Sequence, residues 1–131
     1  MSAPIESHEP LTPAAMEAKL RDAANAVHAT QRELARARDV ETARQSDHLR
    51  ARVVAASSPD CPVPSRATGV TVGQRADWID AQALDALLAY NEAKQARVIA
   101  REAAHAAESI ATVGQSLNAS VRQAYSMGGR S

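Results

Sequence analysis

Apolar residues recur at alternating spacings of three and four in two long windows of this chain. The windows span 14–58 and 74–113, and neither contains a proline or a glycine. This spacing places apolar side chains along one stripe of an α-helix. The pattern predicts two long helices, and no segment shows the period of two that a half-buried strand requires.

The first window opens with a strong helix start. Thr12 is a good N-cap, and Pro13 suits the first helical position, where its missing N–H is not needed. A helix over 13–57 is therefore predicted. Its apolar positions alternate by four and three, as in a coiled-coil seam, with Thr30 filling one slot. They are Met16, Leu20, Ala23, Val27, Leu34 and Ala37.

The second half of this helix is predicted to leave that register. The next apolar residues do not continue the same heptad: Val40, Ala43, Leu49, Val53 and Ala56. A heptad break changes the supercoil locally. We therefore expect a local change of packing after Ala37.

A stiff joint is predicted between the two windows, over 58–73. It contains three prolines and two glycines: Pro59, Pro62, Pro64, Gly69 and Gly73. Proline excludes helix and favours extended backbone. Thr71 and Gln74 have the spacing of a capping box. The second helix is therefore predicted over 74–127, ending at Gly128 and Gly129.

The later part of the second helix carries the cleanest apolar stripe in the chain. Its members are Ile99, Ala103, Ala106, Ile110, Val113 and Leu117, and Val121 and Tyr125 extend it after one slip. The small alanines permit close approach of another helix. Gly114 lies inside the stripe at a cost of about 1 kcal/mol relative to alanine, so it marks either a kink or a close contact. These eight stripe residues are the predicted contacts between subunits.

The composition turns this pattern into a predicted architecture. Alanine supplies 30 of the 131 residues and phenylalanine is absent, so the core available to one chain is thin. A two-helix hairpin would leave at least one apolar stripe in water, and other copies or a partner would cover it. We expect an all-α fold: a long hairpin with coiled-coil-like seams, assembling into a helical homo-oligomer. Residues 1–12 form a flexible arm, 13–127 a single hairpin domain and 128–131 a tail.

Charge and cysteine content limit the classes of function. Fifteen basic residues balance 15 acidic ones, which argues against polyanion binding driven by net charge. Cys61 is the only cysteine, so no intrachain disulfide forms and a reducing cytosol is the simplest compartment. The first ten residues lack a basic start and an apolar run, so no secretory signal is predicted. No apolar stretch approaches the roughly 20 residues that span a membrane.

The sequence offers little catalytic chemistry. Glu102 and His105 have the spacing of one half of a di-iron site, but the second such step is missing. Cys61 lies on a predicted loop, and nothing in the sequence places a base such as His48 beside it. No glycine-rich phosphate loop or local Ser/His/Asp motif is present. We therefore predict no enzyme, no metal and no cofactor.

Basic residues form two stripes with two open interpretations. The first stripe is Lys94, Arg97 and Arg101, and the second is Arg44, Arg50 and Arg52. Stripes of this kind bind nucleic-acid backbones. Acidic neighbours and the scarcity of aromatic residues favour a solvated helix face instead. The sequence leaves both open, and these six residues are its nucleic-acid-binding candidates.

The C-terminal stretch resembles one family. Residues 107–129 read AESIATVGQSLNASVRQAYSMGG, an apolar-aromatic helix followed closely by glycine, with Tyr125 and Gly129 at the two marker places. This layout resembles the phage recombination mediators of the UvsY type. The resemblance implies an oligomer in the host cytoplasm that binds single-stranded DNA. It also implies the loading of a recombinase onto DNA covered by single-strand-binding protein.

A second class of function fits the same sequence. An alanine-rich helical hairpin with heptads also suits a virion structural protein, a scaffold, an adaptor or a small partner-binding protein, without nucleic-acid binding. The fold alone does not separate these classes. Salt-dependent binding of a single-stranded oligonucleotide separates these two classes.

Overall fold

The computed structural model describes residues 12–128, and these are helical almost throughout. Within this range the helices are α1 (Pro13–Ala56), α2 (Val72–Gln82) and α3 (Leu84–Gly128). The only β-type pairing in the same range is an isolated bridge between Ser65 and Val70. The all-helical prediction is confirmed. The predicted N-terminal arm and most of the C-terminal tail, including Gly129, lie outside the described residues.

Local sequence explains where α1 begins. The Thr12 hydroxyl accepts a hydrogen bond from the Ala15 amide at 3.1 Å. The Thr12 carbonyl accepts one from the Met16 amide at 2.9 Å. Pro13 is the first helical residue, so the donor that it lacks leaves no gap in the helix.

The predicted second helix is in fact two helices. Thr71 and Gln74 form the capping box at the start of α2, with the Thr71 hydroxyl accepting from the Gln74 amide at 3.1 Å. Ala83 then separates α2 from α3, with φ −94° and ψ 8°. It is completely buried, and no proline or glycine marks this bend. The prediction of one continuous helix over 74–127 was therefore wrong at this residue.

Residues 12–128 divide into two compact units. The first unit contains 12–31 and 103–128, and the second contains 32–102. In the first unit α1 and α3 run antiparallel. The Gln31 amide donates to the Glu108 carboxylate at 2.6 Å. Near the other end of the unit, Arg122 pairs with Glu17 at 3.5 Å.

Small residues of α3 form its packed face in the first unit. On α1 the inward positions are those of the predicted seam: Met16, Leu20, Ala23, Val27 and Thr30. On α3 the inward positions, here called the α3 seam, are Ala104, Ala107, Ala111, Gly114, Asn118 and Val121. A Cβ built on Gly114 would lie 3.3 Å from Leu20 Cδ2. Gly114 therefore marks a close contact, and α3 continues through it.

The second unit corrects the predicted register break in α1. Its inward positions fall on the heptad slots of the first unit and include polar residues: Leu34, Ala37, Glu41, His48, Ala51 and Ala55. The slot between Glu41 and His48 is Arg44, which is exposed. Glu41 forms an ion pair with Arg97, and His48 stacks on Tyr90 with 6.3 Å between ring centroids. Three of the apolar residues that signalled a break are exposed instead: Val40, Leu49 and Val53. The inward positions therefore keep one register along α1, with polar pairs at Glu41 and His48 and an exposed arginine between them.

Candidate interaction surface on the third helix

The apolar stripe predicted on the second helix is largely exposed in the single chain. Side chains of Ile99, Ile110, Val113 and Leu117 are 65%, 65%, 59% and 46% exposed. The alanines between them are exposed as well. We call this set the α3 apolar row: Ile99, Ala103, Ala106, Ile110, Val113 and Leu117. Ile99 belongs to the second unit and the other five residues to the first.

From Ala103 to Leu117 the row lies one residue before the α3 seam. Ala103 precedes the buried Ala104, and Ala106 precedes the buried Ala107. One residue corresponds to a rotation of about 100° around a helix. α3 therefore has two adjacent stripes, one of small residues packed on α1 and one of larger apolar residues facing solvent.

The last two predicted interface residues do not continue the α3 apolar row. Val121 is half-buried and falls in the α3 seam, so it packs within the chain. Tyr125 is 52% exposed near the end of α3. The predicted slip in the stripe is thus a change from the outer row to the inner seam.

An exposed apolar row of this kind is suited to contact with another protein. Valine, leucine and isoleucine each gain roughly 1.5–3 kcal/mol when fully removed from water. Contiguous exposed apolar residues mark contact sites for other proteins. Since the row repeats with heptad spacing, it suits another helix better than it suits a small molecule.

The first predicted basic stripe is divided by the structure. Arg97 points into the second unit, where it pairs with Glu41 and both side chains are more than 70% buried. Lys94 and Arg101 are exposed and lie one heptad apart. The Lys94 ammonium sits 4.6 Å from the centre of the Tyr90 ring. Two of the three charges therefore face solvent together.

The second basic stripe is partly neutralised. Arg44 pairs with Asp47 at 3.1 Å, and Arg52 pairs with Asp80. Arg50 lines an open cleft in the second unit. The same cleft has the acidic residues Asp47 and Asp60 on its wall, so its charge is mixed. These arginines do not form a continuous cationic surface.

Cys61 is a packing residue in this structure. It is 6% exposed and forms a small apolar cluster with Ala55 and Ile79. Its sulfur accepts a hydrogen bond from Arg75 Nη1 at 3.1 Å. His48 lies on Tyr90 instead of beside this thiol.

Arg75, on α2, forms hydrogen bonds both to the joint and to the end of α1. Besides the cysteine sulfur, it donates to the Pro62 carbonyl at 3.0 Å and to the Ala56 carbonyl at 3.4 Å. In the sequence, Arg75 is only one more basic residue, with no sign of these contacts. Its role depends on three acceptors that the fold brings together from separate positions.

Arg75→Ala is expected to lower the free energy of unfolding by about 2 kcal/mol, because three charge-assisted hydrogen bonds are lost. Urea unfolding followed by circular dichroism measures the change. Arg66→Ala, at an exposed position in the joint, is the control and should change stability by less than about 0.5 kcal/mol. Equal effects of the two substitutions would contradict this role.

The remaining chemical candidates are Glu102 and His105. Glu102 and His105 are both exposed on α3. Within residues 12–128 no group of three or more His, Cys, Asp and Glu side chains could hold a metal ion. No helix in that range is long and apolar enough to cross a membrane.

Comparison with known proteins adds no family. No protein-family model, curated protein or solved structure matches this chain. The resemblance to recombination mediators of the UvsY type therefore stays a prediction.

Proposed function

We propose that this protein is a non-enzymatic helical assembly protein that acts as a structural, scaffolding or adaptor component. The observation that carries the proposal is the exposed α3 apolar row. The chain places small residues inside its own seam and leaves the larger Ile110, Val113 and Leu117 outside. We infer that these side chains are covered by other copies of the chain.

The distribution of charge favours this function over binding driven by basic residues. Arg44, Arg52 and Arg97 are each paired with a carboxylate of the same chain. A neighbouring carboxylate offsets the charge of an arginine and so weakens its attraction for a phosphate. The apolar row has no such competitor, since its larger side chains face solvent.

Capture of one copy by another tests the proposal. A tagged chain should retain an untagged chain of the same sequence after the two are mixed and refolded together. An untagged Ile110→Asp chain should not be retained. Retention of neither chain would contradict assembly through identical copies.

Binding of single-stranded DNA is a second candidate function, favoured by Lys94 and Arg101. They are exposed one heptad apart, and the Tyr90 ring lies beneath the Lys94 ammonium. Each copy offers few charges and would bind weakly. An assembly would repeat the site, and linked weak sites gain from their high effective concentration. This function would agree with the loading of a recombinase onto covered DNA.

Lys94→Glu combined with Arg101→Glu is expected to abolish measurable binding of a fluorescent single-stranded oligonucleotide at low salt. Wild-type binding should fall steeply as salt rises, because phosphate contacts release counterions. Arg44→Glu is the control, since Arg44 already pairs with Asp47. Fluorescence anisotropy measures all three proteins. No binding by the wild-type assembly at low salt would exclude this second function and leave the structural one.

A further inference from the structure

We propose that two copies of the chain pair antiparallel along the α3 apolar row, with Ala106 of one copy against Ile110 of the other. This inference rests on the proposed function, because it specifies the partner that covers the row. The twofold axis would cross the row halfway between these two residues. Every member of the row then lies opposite another member.

The spacing of the row requires a helical partner. From Ile99 to Leu117 the steps are four, three, four, three and four residues. This is the spacing of the a and d positions of a coiled coil. In an antiparallel coiled coil, an a position of one helix faces a d position of the other, and the pairs of the proposed register obey this rule.

Side-chain volumes select the antiparallel register. In it Ala106 faces Ile110, Ala103 faces Val113, and Ile99 faces Leu117. Each alanine therefore lies opposite a branched side chain, so no layer contains two alanines. Pairing small with large side chains in this way is how interiors reach close packing.

Other registers pack less well. A parallel pair in register would place Ala103 on Ala103 and Ala106 on Ala106, next to layers of two isoleucines. Shifting the antiparallel pair by one heptad in one direction would oppose Ala103 to Ala106 and place Leu117 against the charged Glu92. Shifting it by one heptad in the other direction would place Ala103 against the polar Ser120 and Ile99 against Ala124. Small layers beside large ones leave cavities, and cavities are destabilising.

Along the outer edge of the row, no two like charges face each other in the proposed register. The adjacent outer positions are Glu102, Ser109 and Ser116. Across the twofold axis Glu102 approaches Ser116 of the second copy, and Ser109 approaches its own equivalent. No pair of like charges is therefore opposed along this edge.

Single cysteines test the register directly. Chains carrying Cys61→Ser receive either Ala103→Cys with an affinity tag or Val113→Cys without a tag. Both positions are exposed, so each chain should keep its fold. The two chains are mixed, refolded together, oxidised and separated without reductant. We expect a disulfide between the two different chains, at least tenfold above that within either chain type alone.

The control pairs the Ala103→Cys chain with an Ala119→Cys chain. Ala119 is exposed on α3 but lies off the row, so this pair should not cross-link. Cross-linking of Ala103→Cys chains to one another would instead indicate a parallel pair and overturn the inference. Capture of the untagged wild-type chain without any 103–113 cross-link would overturn the register and keep the proposed function. Failure of capture would reject both.

Discussion

Ile110→Asp is expected to reduce the assembly to single chains of 13.9 kDa. Ile110 is 65% exposed in the single chain, so aspartate there is solvated and the chain keeps its helices. In a contact between copies the same carboxylate would lose its water without gaining a partner. That costs about 3 kcal/mol or more, which corresponds to at least about hundredfold weaker association. Light scattering measures the mass, and circular dichroism measures the helicity.

Gln115→Asp is the matched control for this substitution. Gln115 is exposed on the same helix and lies outside the α3 apolar row. Aspartate carries the same helix propensity and the same charge at both positions, so the control isolates the effect of the row. An Ile110→Asp protein that keeps the wild-type mass would show that the row does not join copies.

Ala104→Leu is expected to destabilise the chain itself, by about 1–3 kcal/mol. Ala104 is 3% exposed in the α3 seam, where α1 approaches closely. The added carbon atoms have no space there, so α1 and α3 must separate or adopt strained rotamers. Urea unfolding measures the loss, and the midpoint should fall while the slope stays constant.

Ala119→Leu serves as the control for this overpacking. Ala119 lies on the same helix in the same unit but is exposed. Leucine and alanine have similar helix propensities, so this change should alter stability by less than about 0.5 kcal/mol. Equal tolerance of leucine at both positions would contradict the close packing of α3 on α1.

The fold is readable from sequence where local chemistry determines it. Thr12, Pro13 and the Thr71–Gln74 capping box define helix starts by hydrogen bonds within one turn. The seam of α1 in the first unit is also readable, because Met16, Leu20 and Val27 are large and correctly spaced. In these places the strongest apolar signal and the packed face coincide.

On α3 the strongest apolar pattern and the packed face lie on different stripes, so the sequence pattern does not identify the packed face. The large residues Ile110 and Leu117 give the clearer heptad, yet the chain packs through Ala104, Ala107 and Gly114. Alanine contributes little apolar area, so a stripe of alanines looks weak in the sequence. It packs well only because it lets α1 come close, and that distance is a tertiary property.

The packed positions in the second half of α1 are also hard to identify from the sequence, because some of them are polar. Glu41 and His48 read as solvent-facing positions until Arg97 and Tyr90 are placed opposite them. Residue type also gives no sign of the bend at Ala83, since alanine is the best helix former. The basic stripe could not be divided from sequence, because the pairing of Arg97 depends on a residue far away in the chain.

Sedimentation equilibrium of the unmodified chain tests assembly through the α3 apolar row before any substitution is made. The weight-average mass should rise with concentration from 13.9 kDa toward twice that value or more. Salt should not reverse the rise, because the contact is apolar. A mass that stays at 13.9 kDa up to the solubility limit would contradict self-association and leave the row without a second copy to cover it.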